Sequence, residues 1–122
     1  MARNFAICIG VNRYQSHLLP PLKFAENDAR AMQSYLESIG FDDVLLYSDS
    51  TSDQPTLANL QGTIRHLSTS FRLGPEDSFW FSFSGHGFQQ NGIDFLLTSD
   101  SDPSNLLPSR LKKAYIERDG HE

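Results

Sequence analysis

Apolar and polar positions divide the chain into alternating strand-like and helix-like segments. Phe5-Ala6-Ile7-Cys8-Ile9-Gly10-Val11 is a nearly unbroken apolar run, β-branched in part. Its length and its lack of a polar face predict a central parallel strand buried on both sides. A polar loop from Asn12 to Pro21 follows. Leu22, Ala25, Ala29, Met32, Leu36 and Ile39 then recur at spacings of three and four, the period of an amphipathic helix, with Gly40 where a left-handed C-cap residue belongs. Val44-Leu45-Leu46-Tyr47 predicts a second strand. Thr56 is a candidate N-cap for a second helix carrying Leu57, Leu60, Ile64, Leu67 and Phe71, closed by Gly74-Pro75. From Asp77 the pattern changes to period two: Phe79, Phe81 and Phe83 alternate with Trp80, Ser82 and Ser84, a third strand with two different faces. Gln89-Gln90-Asn91-Gly92 reads as a polar turn, and Ile93 to Leu97 as a further strand.

Strand, helix, strand, helix, strand implies an α/β fold: an open, mainly parallel sheet flanked by helices, with right-handed crossovers. Residues 1–105 form the expected domain. Residues 106–122 carry Arg110, Lys112, Lys113 and Arg118 on a weak helical pattern and read as a polar basic tail: a linker, a frayed helix or a chain end. No repeat is present.

Composition narrows the partners. At 122 residues, 39% hydrophobic and 20% charged, the chain suits one globular unit. Its net charge of -5 argues against nucleic acid or an anionic membrane as principal partner, and leaves a basic peptide open. No apolar run approaches a membrane span. Met1-Ala2-Arg3-Asn4 runs straight into a strand rather than into a signal-peptide core. A single cysteine forms no internal disulfide and no cysteine-based zinc site, so a reducing, cytoplasmic location is expected. That residue, Cys8, sits mid-strand and reads as a small buried hydrophobe.

The candidate chemistry centres on His86, which ends the third strand between Gly85 and Gly87. Flanking glycines let another backbone approach closely, and strand ends are where α/β sheets carry their sites. His86 can serve as general base, metal ligand or structural residue. His17, His66 and His121 fall in a loop, on a helix surface and in the tail, so they form no evident metal cluster. Ser84 shares a strand face with His86's approach and can orient it or line a pocket, but Gly-His-Gly is not a nucleophile elbow. Glu26, Asn27 and Asp28 open the first helix, where acidic side chains complement the helix dipole and are ordinarily solvated.

These segments resemble the large-subunit portion of the caspase-like cysteine peptidases, nearest the metacaspase and orthocaspase branch. Matching features run in order over residues 5–105: the strand Phe5 to Asn12, the helix with Ala25-Glu26-Asn27-Asp28-Ala29, the strand ending Phe83-Ser84-Gly85-His86-Gly87, and Asp94-Phe95-Leu96-Leu97-Thr98-Ser99-Asp100. The resemblance implies that His86 is the dyad histidine and that Gly87 supplies a backbone N–H to the oxyanion. It implies that Asp28 selects Arg or Lys on the amino side of the scissile bond, with Asn27 and Ser84 as neighbouring substrate-binding positions. Ala25 stands where some metacaspases have a cysteine. Asp100 lies near an acidic position of calcium-dependent members, which makes calcium the candidate cofactor; no metal ligand set is otherwise defined.

One departure bears directly on chemistry. In caspases the histidine lies about 50 residues before the nucleophilic cysteine. Only 36 residues follow His86 in a chain of 122, and none is cysteine. The chain is therefore expected to be inactive alone: a large-subunit fragment needing its small-subunit half, a truncated product, or a non-catalytic caspase-like interaction module. A plain flavodoxin-like domain is disfavoured because the first strand-to-helix loop has no glycine-rich phosphate cradle.

Overall fold

The computed structural model describes residues 2–66, 74–90, 93–101 and 115–117. Its elements are β1 (Asn4–Gly10), α1 (Ala25–Ser38), β2 (Asp43–Ser48), α2 (Leu57–His66), β3 (Ser78–Ser84), β4 (Gly87–Gln90), β5 (Ile93–Leu97) and β6 (Tyr115–Glu117). The expected parallel sheet is present, with β1 between β2 and β3 and both neighbours parallel to it. A second sheet, β4-β5-β6, is antiparallel.

The unbroken apolar run of β1 is explained by what covers it. Ala6 and Cys8 pack with Ala29 and Leu36 of α1 and Val44 of β2. Ile7, Ile9 and Val11 pack on the other face with Tyr47 and with Leu60 of α2. A strand with a helix over each face has no polar side to display. Cys8 is fully buried as expected, and burial, more than the nearby Glu37, pushes its thiol pKa up. A Cβ on Gly10 would lie 2.4 Å from the Ala25 carbonyl oxygen and 2.8 Å from Ala29 Cβ. Only hydrogen at that position lets α1 seat directly on the end of β1.

Helix α1 begins at Ala25, later than the Leu22 predicted by periodicity. The Leu22 N–H is donated instead to the Asn12 carbonyl (2.7 Å), outside any helix. Phe24, at the N-cap, offers no capping side chain. The Asn12 side-chain oxygen substitutes by accepting the Glu26 N–H at 3.0 Å. The C-terminus follows expectation: Gly40 has φ of 94°, its N–H reaches the Glu37 carbonyl, and the Phe41 N–H reaches Leu36, a Schellman closure. Thr56 caps α2 through the Asn59 N–H at 3.3 Å. Leu67 and Phe71, the predicted continuation of that helix, lie outside the described residues.

β3 is pinned at its start. Asp77 accepts the Arg3 backbone N–H (2.8 Å), the Arg3 guanidinium (2.9 Å) and the Gly74 N–H (2.8 Å). Arg3 foremost holds the Asp77 carboxyl well below the usual carboxylate range. Phe79, Phe81 and Phe83 share the α2 side, as their register with Phe5, Ile7 and Ile9 requires. Yet the strand is not buried like β1: Phe79 is 38%, Trp80 52% and Phe81 37% exposed. Among the described residues β3 pairs only with β1, so its outer edge has no partner.

Two expectations are revised. Gln89 and Gln90 belong to β4, not to a turn, because their backbones pair with Asp94 and Ile93. Tyr115–Glu117, inside the stretch expected to be a tail, pairs with β5 as β6; the rest of that stretch lies outside the described residues. Among the described residues, no helix is long and apolar enough to cross a membrane.

Candidate functional site

The parallel strands β1 and β3 end side by side, with Gly10 opposite Ser84, and the Val11 N–H continues the pairing to the Ser84 carbonyl at 3.0 Å. His86 therefore emerges at the C-terminal edge of the parallel sheet, where open α/β folds place their ligands. Its Nε2 lies 2.7 Å from the Pro20 carbonyl oxygen. A carbonyl can only accept, so Nε2 carries the proton, and in the neutral ring Nδ1 presents its lone pair. The His86 backbone N–H is donated to the Tyr14 hydroxyl at 2.8 Å, and the Tyr14 ring stands 5.0 Å from the imidazole at 56°. Burial, opposed by that N–H and assisted by Asp49, pushes the Tyr14 pKa up to about 12, so the phenol stays protonated at neutral pH.

Gly85 allows this approach. A Cβ there would lie 2.6 Å from the Tyr14 hydroxyl oxygen and 3.0 Å from the Phe83 ring. Gly87 opens β4 opposite Leu96 and is exposed.

Asp28, in the first turn of α1, reaches the same sheet edge. Its Oδ2 accepts the Ser84 hydroxyl at 3.2 Å, and the side chain is otherwise exposed. Asn27 is exposed beside it. The structure thus joins Asp28 to Ser84, two residues before His86, and leaves an accessible carboxylate.

Glu26 behaves differently from the solvated first-turn acid expected. Its Oε2 accepts the Ser48 hydroxyl (2.9 Å), the Ser50 N–H (3.0 Å) and the Arg30 guanidinium (3.1 Å). Bonds from Ser50 foremost, then Ser48 and Arg30, hold its carboxyl at about 2. Asp49, beside these serines, accepts the N–H groups of Asn12 (2.9 Å) and Arg13 (2.6 Å). Glu26 thus ties α1 to the end of β2 and the loop after it, and Asp49 ties that loop to the loop after β1.

Tyr14, Pro20 and Asp49 are functional candidates that the sequence pattern did not expose. Pro20 acts through its carbonyl, which no side-chain motif reports. Tyr14 and Asp49 lie in polar loops, and their partners are 72 and 37 or 36 positions away. The Asn12-to-Pro21 length of loop between a buried strand and a helix was the one available signal.

Asp100 holds backbone and hydroxyl groups. Its Oδ1 accepts the Leu57 N–H (3.1 Å) and the Thr98 hydroxyl (2.6 Å), holding the start of α2. Among the described residues, no group of three or more His, Cys, Asp or Glu can hold a metal ion. The described residues therefore assemble no calcium site around Asp100.

A groove of about 400 Å³ between β2 and α2, lined in part by Leu45, Tyr47, Asn59 and Gly62, shares no lining residue with this site.

Comparison with known proteins accords with this geometry. The caspase domain family model matches residues 3–117. Metacaspase-1 of Botryotinia fuckeliana is 35% identical over 95 residues, covering 73% of this chain and 22% of that protein. Metacaspase-1 of Sclerotinia sclerotiorum is 34% identical over 98 residues, covering 75% of the chain and 22% of its own length. Metacaspase-1 of Ajellomyces capsulatus is 32% identical over 95 residues, covering 73% and 26%. The chain spans about a quarter or less of these relatives. Over that span, with a parallel sheet presenting His86 at its edge, it belongs to the caspase domain family.

Proposed function

We propose that this chain is the histidine-bearing part of a caspase-type cysteine endopeptidase that cleaves after Arg or Lys. The observation that carries this reading is the His86 imidazole, fixed at the sheet edge with Nε2 on the Pro20 carbonyl and Nδ1 left as the proton acceptor. The thiol comes from a segment outside these residues, since the sole cysteine, Cys8, is buried in the core. In the reaction, His86 Nδ1 takes the thiol proton. The thiolate attacks the scissile carbonyl, and the Gly87 N–H assists the oxyanion. The imidazolium then protonates the leaving amine as the C–N bond breaks. His86 next deprotonates water, which hydrolyses the thioester and releases the thiol.

Asp28, oriented by Ser84, offers a carboxylate to a guanidinium or ammonium, and Asn27, exposed beside it, is a neighbouring substrate-binding position. A charge-assisted contact of this kind contributes about 1.5–3 kcal/mol. The small-subunit half docks on the edge of β3 that has no partner among the described residues, where exposed Phe79, Trp80 and Phe81 offer apolar surface.

The test is to express the chain with the polypeptide encoded immediately downstream and assay Arg- and Lys-containing peptides. Cleavage is expected from the pair and not from the chain alone. His86→Ala should lower kcat/KM by about 10²–10⁴-fold, and Asp28→Asn by about 10–100-fold for basic substrates. Turnover by the pure chain, abolished by His86→Ala, would refute the need for a second segment. Absence of a nucleophilic cysteine from the polypeptide encoded downstream would favour a second reading, a non-catalytic interaction module. The sequestered Cys8 already favours that reading for the chain in isolation.

A further inference from the structure

We propose that Tyr14 is a positioning residue for His86, holding its backbone through the phenol hydroxyl and its ring plane through the aromatic face. This rests on the reading of His86 as proton acceptor. A histidine restrained only at Nε2 can still swing its Nδ1 lone pair by rotating about its two side-chain bonds. Tyr14 removes that freedom at two points. The hydroxyl accepts the His86 N–H at 2.8 Å and so fixes where Cα sits. The ring, 5.0 Å away and tilted 56°, limits the imidazole's rotation. Pro20, from the same loop, then receives Nε2–H at 2.7 Å.

The tyrosine is itself held. Asp49 takes the Asn12 and Arg13 N–H groups just before it, and the Gln15 N–H just after it goes to the Ser99 carbonyl at 2.8 Å. The Tyr14 ring also packs against the cluster of Ile7, Ile9, Val11, Tyr47 and Leu60. The loop after β1 is thus fastened to the loop after β2 and to the segment after β5, and it grips His86 with two residues. The glycine at position 85 belongs to the same device, since any side chain there would meet the phenol oxygen. Without this grip, the lone pair directed at the thiol would sample orientations in which proton transfer has no path.

The test uses nitrogen-15 magnetic resonance of the 122-residue chain, with the His86 signals assigned by their loss in His86→Gln. In the unmutated chain the His86 ring is expected to show one dominant tautomer, Nε2–H. Tyr14→Phe, which keeps the ring, should speed exchange of the His86 amide by about five-fold, the ratio one neutral hydrogen bond sustains. Tyr14→Leu, which also removes the ring contact, should convert the single-tautomer signal into a mixture of Nδ1–H and Nε2–H forms. A purely structural tyrosine would lower stability without moving the tautomer. Folded variants with unchanged exchange and unchanged tautomer overturn the proposal. So does an unmutated chain whose His86 ring is mainly Nδ1–H, whatever the variants do. These signals require no peptide and no thiol, so a failed reconstitution of cleavage would leave them standing; unchanged variants would count against Tyr14 alone, whereas an Nδ1–H ring in the unmutated chain would also remove the proton acceptor on which the peptidase reading rests.

Discussion

Glu26→Gln should destabilise the chain at neutral pH by about 1–2 kcal/mol and flatten its response to acid. The carboxylate receives donors from Ser48, Ser50 and Arg30, and its pKa falls from 4.5 to about 2. At about 1.4 kcal/mol per tenfold, that depression corresponds to about 3 kcal/mol. Solvent reduces it: the Glu26 side chain is 16% exposed and its partner Arg30 51% exposed, and pairs open to water are screened, leaving about 1–2 kcal/mol. The folded-state pKa is depressed, so the contribution is complete above pH 4.5, disappears as pH falls toward 2, and is about half gone by pH 3. Glutamine keeps an acceptor but loses the charge, and it turns an amide donor toward groups that are themselves donors. Urea unfolding at pH 7 and pH 3, followed by the emission of the sole tryptophan, Trp80, measures the difference directly. The gap between parent and variant should be widest at pH 7 and narrow at pH 3, with a fall in Tm of about 4–10 °C at pH 7. An equal gap at both pH values would refute the ionic origin of the effect, and no gap at pH 7 would refute the role of Glu26 altogether.

Three further outcomes follow from the packing. Gly10→Ala should cost about 1–3 kcal/mol by forcing a methyl against the Ala25 carbonyl and Ala29, measured by denaturant midpoint; an unchanged midpoint would mean that α1 can lift from β1 freely. Asp100→Ala should cost about 1 kcal/mol by releasing the Leu57 N–H and the Thr98 hydroxyl, and calcium titration should leave the parent's stability unmoved; stabilisation by calcium would contradict the capping role. Cys8, buried and with its thiol pKa raised, should resist alkylation in the folded chain at pH 8 and react promptly in denaturant; stoichiometric labelling without unfolding would show that β1 opens.

Local patterns foretold the fold where the cause was local. The apolar run of β1, the threonine before α2 and the glycine after α1 each act within a few residues. The start of α1 escaped periodicity because the Asn12 carbonyl, ten positions away, takes the Leu22 N–H. β4 escaped because Gln89 and Gln90 pair through their backbones, indifferent to side-chain polarity, although Asn91-Gly92 is itself a strong hairpin dipeptide. At the site, the glycine-flanked histidine after an aromatic strand marked the sheet edge correctly, and Asp28 reached that edge through Ser84. Glu26 was indistinguishable from Asp28 by spacing, since the donors that separate them come from the end of β2 and the loop after it, 22 and 24 residues on. Tyr14 was silent for the same reason at longer range.

The bracket between Arg3 and Asp77 spans 74 positions, and its consequence lies in the order of synthesis. β1 leaves the ribosome well before β3, and α1 and β2 can cover part of it soon afterwards. The flank that β3 will occupy stays open until some 74 more residues have been added, about 4–15 s at ordinary elongation rates. During that interval the buried, apolar strand β1 has one hydrogen-bonding edge exposed. The nascent chain is then at its most vulnerable to mispairing, and arrival of Asp77, with two contacts ready for Arg3, sets the register that ends the exposure.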